Sequence, residues 1–537
     1  MVYLLSQVSK YVLIILIAVY TLQAFTALSS RKSDEDRTAL LSMQRIEIFL
    51  LLFIGLISLY TVTLESELIL YAAFSMIVLL VILVVYGLVY RKAPRQLLNN
   101  MCMLLAIGFV IQARLDLEGA TRQLFITGIV ALVMILVPLL IRKLNFLDRL
   151  TWVYAIAGLV VLAFVFVTGS TSYGAKLSLS LAGISFQPSE FIKIVFVFFI
   201  AAAYSQATNF RTVVKVTILA ALHVLILVAS KDLGAALLYF MVYLVMLYVA
   251  TRKVRYLFAG LGAGALACIA AYFLFSHVRT RVIAWQDPFA VIDDAGYQVA
   301  QSLFAIGSGS WYGSGLGQGL PTSIPVVEED FVFSAIAEEM GALFAICMVL
   351  ICLCCYILIL NIAMQTHRLF YKLIALGLGT VYIFQVFLTV GGATKFIPST
   401  GVTLPLISIG GSSMMSTFLL FNIILGLYLF RADESRREEQ EEAVPAFAAA
   451  QRRARGQYDE DDPDAGGKRR ARTRTHEPID EPVVKEVNIS RRAKRPGEKT
   501  NNVYDTDRVK GDTFVNLEIT IDPDEIEDFR ISLEDDE

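Results

Sequence analysis

Histidine is scarce in this sequence. Its 537 residues hold only His223, His277, His367 and His476, too scattered to form a ligand cluster. Cysteine is nearly as rare, and Cys102, Cys268, Cys347, Cys352, Cys354 and Cys355 all sit inside apolar runs. They lack the spacing and polar surroundings of a metal site and suggest no disulfide framework, so they read as small buried or lipid-facing residues. Charge is missing from long stretches of a chain that is 56% hydrophobic, and many of those stretches exceed about 18 residues. A soluble domain is thereby excluded, and the class that remains is a polytopic helical membrane protein. A basic flank ahead of the first apolar run is also lacking: apart from Lys10 inside it, its charges follow it, at Arg31, Lys32 and Arg37. That is the wrong polarity for a cleaved signal peptide, so the run reads as a true span whose N-terminus lies outside. The net charge of −2 says little, because the charges are segregated into loops and tail.

The apolar runs make about thirteen spans, at roughly 8–29, 47–64, 67–90, 98–113, 122–141, 150–168, 190–205, 212–230, 233–250, 257–275, 333–360, 370–390 and 404–430. Basic connections occur at Arg31–Arg45, Arg91–Arg95, Arg142–Arg149, Arg211–Lys215, Arg252–Arg255 and His367–Lys372. They alternate strictly with acidic or neutral ones at Glu65–Glu67, Leu115–Gly119, Gly169–Glu190, Lys231–Asp232, 276–332 and Gly391–Pro405. The positive-inside rule makes the first set cytoplasmic, which places the long loop and the N-terminus outside and the C-terminus inside. Past Arg431 the sequence turns to Arg, Lys, Asp, Glu, Pro and Gly with no apolar run, which predicts a mostly disordered cytoplasmic tail over 432–537. A solvated tether is the plain reading of that tail, and a docking segment for an anionic surface or a partner is the other.

Loops that only connect are short, so a connection of about 60 residues is a functional candidate. This one carries Arg279, Arg281, six carboxylates ahead of Phe331 and the Gly-rich run Gly307–Gly319. That run lacks the Gly-Lys-Ser/Thr ending of a P-loop and reads as tight turns or close backbone approach. Lys176, Lys231, Arg279, Arg281 and Lys395 are cations on the side where the rule makes them scarce. Each alone reads as a solvated or snorkelling residue; together they can meet an anion such as a lipid-linked pyrophosphate. Glu190, Asp232 and Asp330 each open an apolar run, which capping and the helix dipole explain. The sharper reading makes Asp330, at the edge of an apolar site, a general base for a hydroxyl nucleophile. Glu338 and Glu339, deeper in, call for a buried cation or a polar cavity.

Five blocks in order carry a resemblance. They are Phe186-Gln-Pro-Ser-Glu-Phe191; Lys231-Asp-Leu-Gly234; Arg281-Val-Ile-Ala-Trp-Gln-Asp-Pro-Phe289 with Gly296-Tyr-Gln-Val-Ala-Gln-Ser302; Gly313-Ser-Gly-Leu-Gly-Gln-Gly319 leading to Asp330-Phe-Val-Phe333 and Glu338-Glu-Met-Gly341; and Pro398-Ser-Thr-Gly-Val-Thr-Leu-Pro405 with Ser408-Ile-Gly-Gly-Ser-Ser413. Residues 98–431 resemble the SEDS family (shape, elongation, division and sporulation), the FtsW/RodA-type peptidoglycan glycosyltransferases. The resemblance implies an all-α ten-helix core over 96–431, preceded by about three extra transmembrane helices in 1–95. It implies a bacterial cytoplasmic-membrane enzyme, serving cell division or cell shape, that polymerises lipid II. Its expected partners are a class B penicillin-binding protein and other divisome or elongasome proteins, with no nucleic acid. Asp330 falls on the proposed catalytic aspartate of the family's Asp-Phe-x-Phe block.

Three positions depart from the pattern. Gly174-Ala-Lys-Leu-Ser178 lacks the usual Arg-Trp, Ser230-Lys-Asp-Leu-Gly234 replaces Gln-Pro-Asp-Leu-Gly, and Thr389 stands where Asn is common. Lys176, Lys231 and Lys395 are the expected replacements for the lost cationic contacts. Lys176, Glu190, Lys231, Asp232, Arg279, Arg281, Glu338 and Lys395 are therefore the expected substrate-binding set around Asp330. No cofactor is evident beyond a divalent cation that would help neutralise pyrophosphate. Two other functions fit the composition: a flippase for lipid-linked precursors, using Glu190, Asp232 and Glu338 as a polar path, and a non-catalytic divisome scaffold acting through the tail.

Overall fold

In hydrocarbon a backbone must satisfy its own hydrogen bonds, so each long apolar run closes into a helix. The computed structural model describes residues 2–28, 34–144, 146–172, 175–181 and 184–454. Among them are thirteen helices long and apolar enough to cross a membrane.

The chain opens with α1 (Val2–Leu28), α2 (Asp34–Thr63) and α3 (Glu67–Val89). Next come α4 (Arg95–Leu115), α5 (Leu117–Met134), α6 (Val137–Lys143) and α7 (Thr151–Thr168). A small antiparallel sheet follows, in which β2 (Ala175–Leu181) pairs with β1 (Ser170–Ser172) on one side and β3 (Ile184–Phe186) on the other. The membrane layer resumes with α8 (Ser189–Gln206), α9 (Phe210–Ala229), α10 (Leu233–Thr251) and α11 (Val254–Leu274). The long loop carries α12 (Ser276–Gln286), α13 (Tyr297–Gly309) and α14 (Val332–Glu339). The final helices are α15 (Ala342–Met364), α16 (Leu369–Ala393) and α17 (Gly411–Ala454).

One of the two least hydrophobic spans is the most deeply placed. Helix α4 carries Gln96, Asn99, Asn100, Gln112 and Arg114 among its apolar residues, and its span is buried along its whole length. Its polar groups are spent inside: Asn100 accepts from the Tyr20 hydroxyl at 3.0 Å, and Gln112 donates to the Ile407 carbonyl at 2.7 Å. The first contact ties α4 to α1, and the second ties it to the loop ahead of α17. The added N-terminal helices are thus packed against the core, with α1 also lying along α15.

Two expected spans begin later than the hydropathy suggests. The run 333–360 is two helices, because the chain breaks at Gly341, where φ is +90°. A Cβ there would stand 2.4 Å from the Gly313 nitrogen and 2.6 Å from the Trp311 carbonyl, so only glycine fits. The run 404–430 starts its helix at Gly411, after an irregular stretch around Pro398–Pro405. The all-helical expectation holds for the spans, and the sheet lies wholly in the connection between α7 and α8. The expected disordered tail begins later than position 432, because α17 continues as a helix to Ala454; from 455 onward it lies outside the described residues.

Candidate active site

The Lys231-Asp-Leu-Gly234 block is a helix start in which each residue has a task. Lys231 turns the chain at φ +64°, and Asp232 caps α10 by accepting the Ala235 N–H at 3.0 Å. The Ser189 hydroxyl, at the head of α8, donates to the other oxygen of Asp232 at 3.5 Å. A Cβ on Gly234 would meet the Thr400 carbonyl at 2.7 Å, so the glycine lets α10 abut the loop 394–410.

Helix α12 is stitched to the same loop. The Arg281 guanidinium donates to the Ser399 carbonyl at 3.0 Å, and the Trp285 indole N–H donates to the Lys395 carbonyl at 3.1 Å. At Gly401, where φ is +69°, a Cβ would touch both Arg281 and Asp330: Arg281 Nη2 lies 3.8 Å from that point and Asp330 Oδ2 3.9 Å from it. Arg281 and Asp330 therefore face one another across a glycine. Asp330 Oδ1 is buried and has no hydrogen-bond partner in the protein, which leaves it free to take a proton from a bound hydroxyl.

Electrostatics act on the two aspartates in the same direction. Burial pushes the Asp330 carboxyl up to about 7, with Glu329 adding to the rise and Arg281 opposing it. Burial also lifts Asp232, to about 6; Glu190 adds to this and Arg281 opposes it. Burial lowers Arg281, while Asp330 and Asp232 act against that drop. One guanidinium thus serves both carboxylates. An acid that titrates near neutrality is suited to general-base work at physiological pH.

The other expected residues fall into separate groups. Glu190 faces into the bundle, where its carboxylate takes the Lys193 ammonium and the Ser416 hydroxyl, the latter at 2.9 Å. Lys193 also donates to Gln385 at 2.9 Å, and the Gln385 amide reaches the Thr403 carbonyl at 3.1 Å. This network braces the loop 394–410 from beneath. Lys193 is absent from the expected set, although a lysine three residues after Glu190 in an apolar run is a readable sign of an internal pair.

Glu338 and Glu339 lie under the Gly-rich run. Glu339 accepts from Gly317 N at 3.0 Å, Gly319 N at 3.2 Å and Arg114 Nε at 2.9 Å. Glu338 accepts from Leu320 N at 2.9 Å, and its carbonyl takes the Ser314 N–H at 2.9 Å. The glycines are a cradle, but for carboxylates of the same chain. Arg279 points elsewhere: its guanidinium stacks over Tyr272 and bonds the Phe273 carbonyl at 3.3 Å. Lys231 is exposed, and its charge joins that of Arg281 in lowering His277, after burial. Lys395 turns at φ +59° and contributes its carbonyl to Trp285. Lys176 lies on β2 opposite Thr171, and its side chain is outside the described residues.

An aspartate two residues ahead of a helix, one guanidinium and a glycine between them, set at the end of a multi-pass bundle, define the site of a membrane enzyme. The FtsW/RodA/SpoVE profile, described as cell cycle protein, matches residues 95–432. The peptidoglycan glycosyltransferase RodA of Mycobacterium bovis is 35% identical over 357 residues, covering 61% of this chain and 76% of the relative. The probable peptidoglycan glycosyltransferase FtsW of Aliivibrio salmonicida is 33% identical over 304 residues, covering 53% of this chain and 74% of the relative. A solved chain from a peptidoglycan synthase complex that coordinates polymerization and crosslinking superposes with a TM-score of 0.55. It is 26% identical, and the match covers 63% of this chain and 98% of that one. The chain belongs to the FtsW/RodA/SpoVE family, and it is a multi-pass membrane peptidoglycan glycosyltransferase.

Proposed function

We propose that this enzyme polymerises lipid II at the outer face of the cytoplasmic membrane. The observation that carries the reading is Asp330, whose Oδ1 is buried without a partner while Oδ2 faces Arg281 across Gly401. Asp330 Oδ1 takes the proton of the acceptor sugar's 4-hydroxyl. The oxygen attacks the anomeric carbon of the donor, a new C–O bond forms, and the bond to the polyprenyl pyrophosphate breaks. The leaving group's charge is met by Arg281, with Lys231 and Lys395 at the rim and Asp232 holding the guanidinium in place. A divalent cation bound with the pyrophosphate would help neutralise its charge. The chain works beside a class B penicillin-binding protein in division or cell-shape synthesis; the similarity to a chain of a peptidoglycan synthase complex supports this. The alternating basic loops support an N-terminus outside and a C-terminus in the cytoplasm.

Purified full-length protein, given labelled lipid II with and without a transpeptidase partner, is expected to yield glycan strands. Lipid II left unpolymerised in both cases, together with its movement across vesicle bilayers, would replace this reading with that of a flippase.

The two arginines provide a finer test. Arg281→Ala is expected to lower kcat/KM for lipid II by about 100-fold, because a buried, charge-assisted contact to the leaving group is lost. Arg279→Ala is expected to stay within about twofold, because its guanidinium is exposed over Tyr272. Equal losses at both positions would mean that pyrophosphate departs along a different face of α12.

A further inference from the structure

The N-terminal helices lie outside the family match, yet they touch the outer loop at its most constrained point. Lys10, the one cation within the first apolar run, donates to the Gly313 carbonyl at 3.1 Å. One turn earlier on α1, the Gln7 amide donates to the Ser314 carbonyl at 3.3 Å. Tyr11 packs on Tyr312 with ring centroids 6.0 Å apart. A Cβ on Gly315 would meet the Ser6 hydroxyl at 2.9 Å, and one on Gly317 would meet Val62 of α2 at 3.1 Å. The strip 313–317 is therefore walled on its outer side by α1 and α2.

The inner side of the same strip holds the end of α14. Ser314 N and Gly315 N donate to the Glu338 and Glu339 carbonyls, both at 2.9 Å, and Gly317 N donates to the Glu339 carboxylate at 3.0 Å. Helix α14 begins two residues after Asp330 and has only eight residues, so a shift at its far end moves the aspartate as well. Backbone carbonyls held from outside by an ammonium and an amide, and backbone amides held from inside by two glutamates, leave the strip one position.

We infer that Lys10 and Gln7 are positioning residues for the transferase reaction: the added first helix clamps the Gly-rich strip and, through α14, sets Asp330 against its substrate. The inference rests on the proposed polymerase reading for its kinetic consequence but not for its structural one.

The test uses the full-length chain carrying Lys10→Met, alone and with Gln7→Ala. Methionine keeps the unbranched stem and the helix, so the fold is retained, and melting in detergent checks this. Hydrogen exchange of the amides in 313–320 is expected to speed up by about tenfold or more, while amides of α15 and α16 keep their protection. Polymerisation of lipid II is expected to lose about fivefold in kcat with KM within about twofold, because binding groups are untouched and only the base is misplaced. Lys10→Arg, which keeps a donor, is expected to restore both. Unchanged exchange in the double variant would overturn the clamp even if the enzyme polymerises normally. Faster exchange with unchanged kcat would overturn the positioning role. A wild-type chain that makes no polymer would instead defeat the polymerase reading, and the exchange result would still decide whether α1 holds the strip. If the methionine variants melt early, Gln7→Ala alone decides: faster exchange confined to 313–320 supports the clamp, and unchanged exchange or protection lost across all helices overturns it.

Discussion

Asp330→Asn is expected to abolish polymerisation, by about 1000-fold or more, and at the same time to make the folded protein more resistant to heat above pH 7. Asparagine has nearly the same shape but cannot accept the acceptor hydroxyl's proton, so the chemical step loses its base. The stability gain follows from burial, which raises the folded carboxyl to about 7 while the unfolded chain keeps the ordinary value of 3.8. Between those two values the folded state holds a proton that the unfolded state has released. Stability therefore falls as pH rises through this window, and the loss is complete above about 7. Removing the charge recovers about 1–2 kcal/mol there, after allowance for relaxation and water around the group. Wild-type activity runs the opposite way and rises as Asp330 ionises, with an acid limb near pH 7. The site trades stability for a base that works at neutrality. Melting curves of both proteins at pH 5 and pH 8, beside lipid II turnover, check this. A variant that melts lower at pH 8, or that still makes glycan, would remove Asp330 from the role.

How much of this was legible in the residues depended on how local the cause was. The spans were readable because a bilayer demands about 20 apolar residues and rejects charge, a constraint that acts on each run separately. Asp232 was readable for a related reason, since it caps α10; Asp330 makes no cap on α14, so capping does not account for it. The break at Gly341 was not readable: Phe331–Ala337 is as apolar as a span, and only the close approach of Trp311 and Gly313 forces the turn. In the sequence the cations form one set, but its members are sorted by contacts across the chain. Arg281 is brought in by a carbonyl 118 residues away, whereas Arg279, on the same helix, is carried outward onto Tyr272. Lys193 is legible as half of an internal pair, because Glu190 lies three residues before it; its second partner, Gln385, is 192 residues away and is not. The Gly-rich run suggested close approach, and what approaches is Glu338 and Glu339.

That cradle is where the largest stability effect belongs. Glu339 is fully buried, and its two oxygens take Arg114 Nε, Gly317 N and Gly319 N. Arg114 also donates to the Gly319 carbonyl at 3.1 Å, so the guanidinium and the carboxylate close on the same glycine. Glu339→Ala removes an acceptor from three donors at once and leaves a largely buried guanidinium without its anion. Breaking a buried pair from one side costs about 3–5 kcal/mol, far more than the pair contributes net, because the surviving charge stays desolvated. Much less folded protein is therefore expected from Glu339→Ala, with early melting of what remains. Replacing both partners, as Arg114→Met with Glu339→Met, removes the stranded charge and is expected to recover part of the loss, with a coupling of about 2 kcal/mol in the double-mutant cycle. Activity is expected not to return with stability. The strip's amides would still lack their acceptor, α14 would lose its fixed end, and Asp330 would be held less firmly beneath Arg281. A Glu339→Ala protein that melts within about 1 kcal/mol of wild type would show that water replaces the carboxylate in the cradle, and the strip would then owe its shape to Glu338 and to the backbone contacts alone.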